Sequence, residues 1–455
     1  MFGHPRDDPP HGKRRMKDNR ICEDFMPFDS LDGGPCLGKV AVVGGGISGL
    51  GAAYALSQTH RVTLFEAEPR LGGHARTLIA GRREQVPVDT GFIVFNYQNY
   101  PLLTGLFDAL DVPVKKSDMA FSATIDDGRL EYGLHTTAAL FAQRRNLTRP
   151  AFWRMLRDIP RFNHGARIAC ENPRLSLRDL LDQLKMGDWF RRYFMLPLAS
   201  AIWSTSPNEM QSFPAQSFVR FFENHGLLTI NNQPQWYTVD GGSQVYVEKM
   251  ARAIRARGGI IRAGTPVQAV VRDEAGAQVK TAGQPFEAFD AVVMACHSDQ
   301  TLRLLGDADT SETGVLSKLR YTPNRAYLHD DPAHMPRRQA CWASWNYRGR
   351  TGQETRPVAL TYWMNRLQGL PKNIPLFLSL NTEQPIRDEH IFDETVFYHP
   401  QFDHAAIEAQ GRLSAMQGRR NTWFCGAYTR YGFHEDGLLS AVNVARAMGA
   451  QPQWA

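Results

Sequence analysis

Three glycines in the stretch VGGGISGL, Gly44, Gly46 and Gly49, stand at the spacing GxGxxG. That spacing suits a bound dinucleotide. The first glycine makes a tight turn, the second lets backbone N–H groups approach a pyrophosphate, and the third lets a helix pack closely on a strand. Ile47 and Ser48 lie between them, in the first turn of a helix whose N-terminal N–H groups and dipole favour phosphate. Glu66 follows 22 residues after Gly44, with Ala67 beside it, where a carboxylate can accept hydrogen bonds from an adenosine ribose. A second cluster, His434, Glu435 and Asp436, has the residue types for proton transfer. His434 is the first candidate, with Glu435 and Tyr431 as further catalytic candidates, while Glu435 and Asp436 could equally act only as electrostatic caps of a helix. No CxxC pair and no histidine–cysteine ligand spacing occurs, so no metal site is expected.

The elements that must hold these residues follow from apolar periodicity. A run at 40–43 precedes the glycines, Ala52, Ala53, Tyr54 and Leu56 continue at helical spacing, and a second run at 61–65 ends on Glu66. The pattern reads as strand, turn, helix and parallel strand. A helix is expected at 245–257, with strands at 267–271, 278–281 and 290–295. A last strand leads into Gly426 and Ala427, and a closing helix reaches Met448. Residues 101–240 lack this rhythm and are rich in aromatics and arginine. Stretches at 340–347, 360–365 and 375–381 read as aromatic-rich strands with one face on a core and the other on a cavity.

At 455 residues with 43% hydrophobic content, the chain can bury an ordinary core and is expected to form two or three lobes of a globular protein. The net charge of +6 is mild but uneven, because residues 141–200 hold twelve Arg or Lys against five Asp or Glu. An anionic partner would be met there, and no nucleic-acid partner is expected. Within this stretch Phe152, Leu156 and Ile159 share a helical face near Arg154, Arg157 and Arg161. Such a helix either packs its apolar face on its own domain or rests on an anionic membrane surface. Residues 185–198, with Trp189, Phe190, Arg191, Arg192, Tyr193 and Phe194, repeat the mixture. Six unpatterned cysteines suggest free thiols in a reducing compartment. No apolar run is long enough to span a bilayer. Residues 1–37 lack a secretory apolar core and read as a flexible tail. These features suit a cytoplasmic protein, with attachment to the inner face of the cytoplasmic membrane as an option.

Arg70, Gly72, Gly73 and Thr77 form RxGGxxxT, and Asp89 and Gly91 form DxG, followed by Phe92. This pattern resembles the flavin-containing amine oxidase and phytoene desaturase superfamily. The resemblance implies FAD, with Arg70, Gly72, Gly73, His74, Gly91 and Phe92 beside its diphosphate and ribityl chain and the backbone near Val267 flanking the adenine. It implies a second cofactor segment containing Gly426, Ala427, His434, Glu435 and Asp436, whose helix N-terminus faces the N1–C2=O edge of the flavin. Tyr428 and Tyr431 could wall the flavin. Two departures stand out: the usual arginine after the glycine pair is His74, with Arg76 two positions on, and Ala427 replaces a usual acid, whose contact is then missing or moved to Asp436. The fold class implied is α/β, a discontinuous, amine oxidase-like Rossmann-type FAD-binding domain at 38–100, 240–300 and 417–455. An α+β substrate lobe takes residues 101–239 and 301–416.

Several longer stretches, DTGFIVFN at 89–96, LASAIWST at 198–205, NHGLL at 224–228, GGSQVYV at 241–247, ACHSDQ, WASWNY and FCGAYTRYGFHEDGL, resemble a narrower group. These are bacterial NAD/FAD-binding oxidoreductases associated with cyclopropane-fatty-acid-synthase-like methyltransferases. The resemblance implies non-covalent FAD and desaturation of an unsaturated or methyl-branched acyl chain, carried in a membrane phospholipid, on the way to furan-containing fatty acids. Hydride would pass to flavin N5. A lipid methyltransferase is the implied partner. The alternatives are an amine oxidase, for which no lysine of suitable context is found, and a non-catalytic flavoprotein serving such a methyltransferase.

Overall fold

The structure is a computed structural model that describes residues 38–455 apart from 170, 171, 173, 225 and 229–233; the tail expected at 1–37, Cys170 and part of the NHGLL stretch lie outside the described residues. Five parallel strands form the central sheet, in the order Ile260–Arg262, Arg61–Phe65, Lys39–Val43, Ala291–Met294 and Thr422–Phe424. The strands therefore come from three separated parts of the chain. Covered on both faces, they read as continuous apolar runs rather than alternating ones, and Val40, Ala41, Val42, Val292, Val293 and Met294 are all buried.

Two helices follow strands of this sheet, Ile47–Leu56 after Lys39–Val43 and, past a 3₁₀ turn at Ala427–Thr429, His434–Ala447 after Thr422–Phe424. They lie side by side because small residues occupy the contact. A Cβ at Gly51 would stand 2.7 Å from Leu438 Cδ1, and one at Gly437 would stand 2.8 Å from Ser48 Oγ. Both N-termini consequently sit at the carboxyl edge of the sheet, where ligands of open α/β sheets bind.

The second lobe is a seven-stranded sheet, ordered Ile391–Pro400, Tyr321–His329, Phe377–Leu380, Ala359–Trp363, Trp345–Gly349, Phe121–Ile125 and Leu130–Gly133. All of its pairs are antiparallel except Trp345–Gly349 with Phe121–Ile125. Helices Pro150–Ala169, Leu177–Gln183, Leu196–Trp203 and Ala215–Asn224 share a core with this sheet, centred on Phe152, Phe162, Phe190, Phe218 and Phe222. The two lobes are tied at Asp89. Its buried carboxylate accepts from Ser243 N–H (2.8 Å), Ser243 Oγ (2.7 Å), Thr77 Oγ1 (2.6 Å) and Gln368 Nε2 (2.9 Å).

Three local expectations are corrected. Residues 340–347 begin as a 3₁₀ turn, Gln339–Cys341, and only then enter a strand, and residues 360–365 leave their strand at Trp363 for the helical turn Met364–Leu367. Both bends place backbone groups on side chains, as where Asn346 Nδ2 donates to the Ala343 carbonyl and Asn365 Oδ1 accepts from Leu376 N–H. Residues 185–198 do not form a surface helix. Phe190 and Phe194 enter the core around a π-helical segment, Arg191–Met195, and Arg191 donates to the carbonyls of Met186 and Leu181.

The glycine turn is the part of this frame least able to accept a side chain. A Cβ at Gly49 would fall 1.8 Å from the Gly44 carbonyl oxygen, a backbone atom that cannot move aside. Gly49→Ala is expected to destabilise the protein by about 3 kcal/mol and to abolish FAD retention, read from the thermal midpoint and the flavin absorbance of the purified variant.

Candidate active site

One cavity of about 1750 Å³ begins at the glycine turn, follows the carboxyl edge of the parallel sheet and continues into the second lobe. Its volume exceeds the several hundred Å³ usual for one small ligand, and it has room for a long cofactor with a substrate beside it. Of the residues assigned to the cofactor from sequence, all line the cavity except Gly49, Glu435 and Asp436.

The nucleotide end is shaped by missing side chains. Gly44 has φ +112°, a conformation that favours glycine, and a Cβ there would meet the Ala295 carbonyl at 2.9 Å. A second glycine turn docks on the first, with Gly72 N–H donating to the Gly45 carbonyl at 2.8 Å. A Cβ at Gly46 would meet nothing closer than 4.0 Å, so backbone there faces open space of the kind a pyrophosphate fills. Glu66 is held in place by accepting from Gly45 N–H (2.6 Å) and Glu68 N–H (2.8 Å), with Ala67, Phe65 and Val267 on the adjoining wall. These residues fit an FAD adenosine diphosphate.

Neither substitute for the usual family arginine is a free cation. Arg76 forms a two-point ion pair with Asp393, at 2.7 and 3.0 Å. The His74 ring packs at a tilt among Phe397, His399 and His297 at centroid distances of 5.2, 5.7 and 5.8 Å. Burial, followed by the neighbouring histidines, holds its pKa well below the ordinary value, so it is neutral. Arg70, donating to the Gly73 carbonyl at 3.0 Å, is the cation left at the phosphate end.

At the other end, His434 opens the closing helix. Its ring stacks on Phe92 at 3.9 Å, and its Nε2 shares a 2.6 Å hydrogen bond with the Tyr246 hydroxyl. Burial lowers its pKa to about 3, which makes it a neutral group rather than a proton donor at physiological pH. Tyr431 and Tyr428 also line the cavity, Tyr431 packing against Phe221 and under Arg430. Of the two alternatives for Glu435 and Asp436, the structure shows capping, with the difference that Glu435 caps a neighbouring helix. Glu435 accepts from Leu102 N–H (2.8 Å) and Leu103 N–H (2.9 Å), capping the helix Pro101–Ala109, and Asp436 accepts from Phe433 N–H (3.0 Å) and pairs with Arg430. Neither residue lines the cavity, which gives no support to Asp436 as the replacement for the acid missing after Gly426.

Beyond Tyr431 the cavity becomes an apolar arm lined by Leu140, Leu156, Ile159, Phe194, Leu198 and Ile202. His135 and Arg366 lie at the polar end of this region, and Arg366 is paired with Asp118 at 2.9 Å. No lysine lines the cavity among the described residues. Sequence reasoning missed the wall formed by Phe397 and His399 on the strand Ile391–Pro400 and by Tyr321, whose ring stacks on His297 at 4.3 Å. Of these, only His297 carried a sequence signal, in ACHSDQ.

A parallel sheet with a glycine cradle, two helix N-termini facing one cavity and a second sheet closing it define a dinucleotide-dependent oxidoreductase. The chain belongs to the family of flavin-containing amine oxidoreductases, whose match covers residues 47–372. Its cofactor is FAD, and it is an FAD-dependent oxidoreductase. The carotenoid phi-ring synthase of Streptomyces griseus is 26% identical over 337 residues, spanning 65% of this chain and 62% of that protein. Among solved structures, a CLA-producing fatty acid isomerase from P. acnes superposes with a TM-score of 0.66 at 15% identity, covering 90% of this chain and 98% of that one. Cyclohexylamine oxidase from Brevibacterium oxydans IH-35A gives 0.65 at 15% identity over 91% and 99%. At such identities the structural likeness speaks for the fold alone.

The placement of Glu435 has a measurable consequence. Burial raises its pKa from 4.5 to about 7, against the opposing pull of the two backbone donors. The folded state therefore holds a proton that the unfolded state has released, and this contribution, fully present below pH 4.5, is lost as pH rises through about 7. Between pH 5 and 8, Glu435→Gln should gain about 2 kcal/mol relative to the wild type, measured by denaturant unfolding. A difference independent of pH would contradict the assignment.

Proposed function

We propose that this oxidoreductase desaturates an acyl chain, a methyl-branched or unsaturated fatty acyl group of a phospholipid. The observation that carries the reading is that the cavity bordered by the glycine turns and His434 is also lined by Leu140, Leu156, Ile159, Phe194, Leu198 and Ile202, an apolar arm of leucine, isoleucine and phenylalanine. The resemblance to oxidoreductases associated with lipid methyltransferases supports the same substrate class. Bound FAD supplies a hydride acceptor. The chain's own residues orient the substrate and exclude water: the apolar arm takes the hydrocarbon, while Phe92, His434 and Tyr431 form the polar-to-apolar junction. With a pKa of about 3, His434 is a weak base, and its stacking and its bond to Tyr246 suit a positioning role.

An amine substrate is less well served. Carboxylates lining the cavity are Glu66 and Glu68 at the nucleotide end and Asp118, which is already paired with Arg366. An ammonium group in the apolar arm would lose its water without a counter-charge.

Anaerobic addition of a methyl-branched phospholipid in detergent micelles should bleach the flavin absorbance, while a simple alkylamine should leave it unchanged; bleaching by the amine alone would overturn the reading. Leu156→Asp, which places a charge in the arm, should slow that bleaching at least about tenfold, equivalent to about 1.4 kcal/mol of barrier, with FAD content unchanged.

A further inference from the structure

The helix Pro150–Ala169 has three faces. Phe152, Met155 and Phe162 are buried in the lobe's core, and Leu156, Ile159 and Asn163 line the cavity. The apolar residues that could have rested on a membrane are thus turned inward. The third face points outward, and it is neither uniformly polar nor balanced in charge. Trp153 is 47% exposed and Ile168 68%, and Leu147, in the turn before the helix, is 49% exposed. Trp153 Nε1 donates to the Leu147 carbonyl at 2.9 Å, which holds these two apolar groups together.

Around Trp153 and Leu147 the charge carried by this stretch is almost all positive. Residues 141–169 contain seven arginines and a single acid, Asp158. That acid is buried, paired with Arg161 and accepting from Gly187 N–H, and the negative charge that meets the outer face is Glu223, paired with Arg167 at 3.0 Å near the helix end. Arg154 and Arg157 are exposed and make no hydrogen bond or ion pair among the described residues. A solvated helix face ordinarily mixes both signs. Exposed tryptophan and leucine beside the unpaired Arg154 and Arg157 have instead the composition that settles at the boundary of lipid headgroups and acyl chains.

The position of the helix gives that face a purpose. Its inner side is a wall of the apolar arm, so a single helix, about 10 Å across, separates the outer surface from the cavity. Pro160 lies in its middle and cannot donate to the Leu156 carbonyl, which interrupts the helical bonding at the cavity-lining turn. We infer that the outer face of this helix docks on an anionic phospholipid bilayer and that the acyl chain enters the arm beside it. The inference rests on the acyl-chain reading of the cavity. No helix among the described residues is long and apolar enough to cross a membrane, so the docking is peripheral. Soluble polyanions match the arginines but give the exposed Trp153, Leu147 and Ile168 nothing to bury.

Co-sedimentation of the FAD-loaded protein with vesicles tests this directly. The protein should sediment with phosphatidylcholine vesicles that contain phosphatidylglycerol and stay in solution with phosphatidylcholine alone. The double variant Arg154→Glu/Arg157→Glu should partition at least about tenfold less with unchanged flavin absorbance. It should lose activity on vesicle-borne substrate while keeping the wild-type rate of flavin reduction by micellar substrate. Failure to sediment with anionic vesicles, equal partitioning of the variant, or binding to heparin in preference to those vesicles would overturn the docking surface. Failure of micellar substrate to reduce the wild-type flavin would instead overturn the acyl reading, so the two are separable.

Discussion

The close approach of two helices governs this molecule. Gly51 against Leu438 and Gly437 against Ser48 leave room for a side chain from only one helix at each of these contacts between the nucleotide helix and the closing helix. Two helix N-termini, separated by almost the whole chain, are thereby brought to one edge of the parallel sheet. The result is a single cavity with partial positive charge at two places along it, one by the glycine turn and one by His434. Since both N-termini depend on one helix–helix contact, the phosphate end and the reactive end of the site are built by the same packing.

Around this frame, most of the charged groups near the cavity are already committed. Arg76 is bound to Asp393, Asp89 ties Ser243, Thr77 and Gln368 together, Glu435 caps a neighbouring helix and Asp436 caps its own. Histidines 74, 399 and 434 line the cavity half-buried, and desolvation lowers the pKa of each. What remains available to ligands is backbone at the glycine turns, Arg70 and a long apolar surface. That balance suits chemistry in which a bound cofactor does the oxidation and the protein contributes orientation and a dry environment.

The nucleotide half of the site was legible because its signal is local: Gly44, Gly46, Gly49 and Glu66 fall within one strand–helix–strand unit, and its geometry is dictated by residues a few positions apart. Glu435 was misjudged for the opposite reason. Its partners, the N–H groups of Leu102 and Leu103, lie 333 and 332 residues away, and no periodicity announces them. The same holds for Phe397 and His399, whose strand reaches the cavity only through pairing with Tyr321–His329. For the basic helix, the amphipathic pattern located the apolar face correctly, but only the packing showed that Phe152 enters the core while Leu156 and Ile159 border a cavity. Residues 185–198 have a similar composition, yet Phe190, Phe194, Met195 and Leu196 enter the core while Lys185 and Arg192 stay exposed.

The proposed oxidation of a hydrocarbon chain rests on the apolar lining of the cavity that also borders the glycine turns. Mass-resolved profiling of cellular phospholipid fatty acids, with the protein present and with it removed, tests the claim most directly. The account predicts a fatty acid lighter than its methyl-branched or unsaturated precursor by one pair of hydrogen atoms, present only in cells that contain the protein. An identical fatty-acid profile in both sets of cells would contradict it.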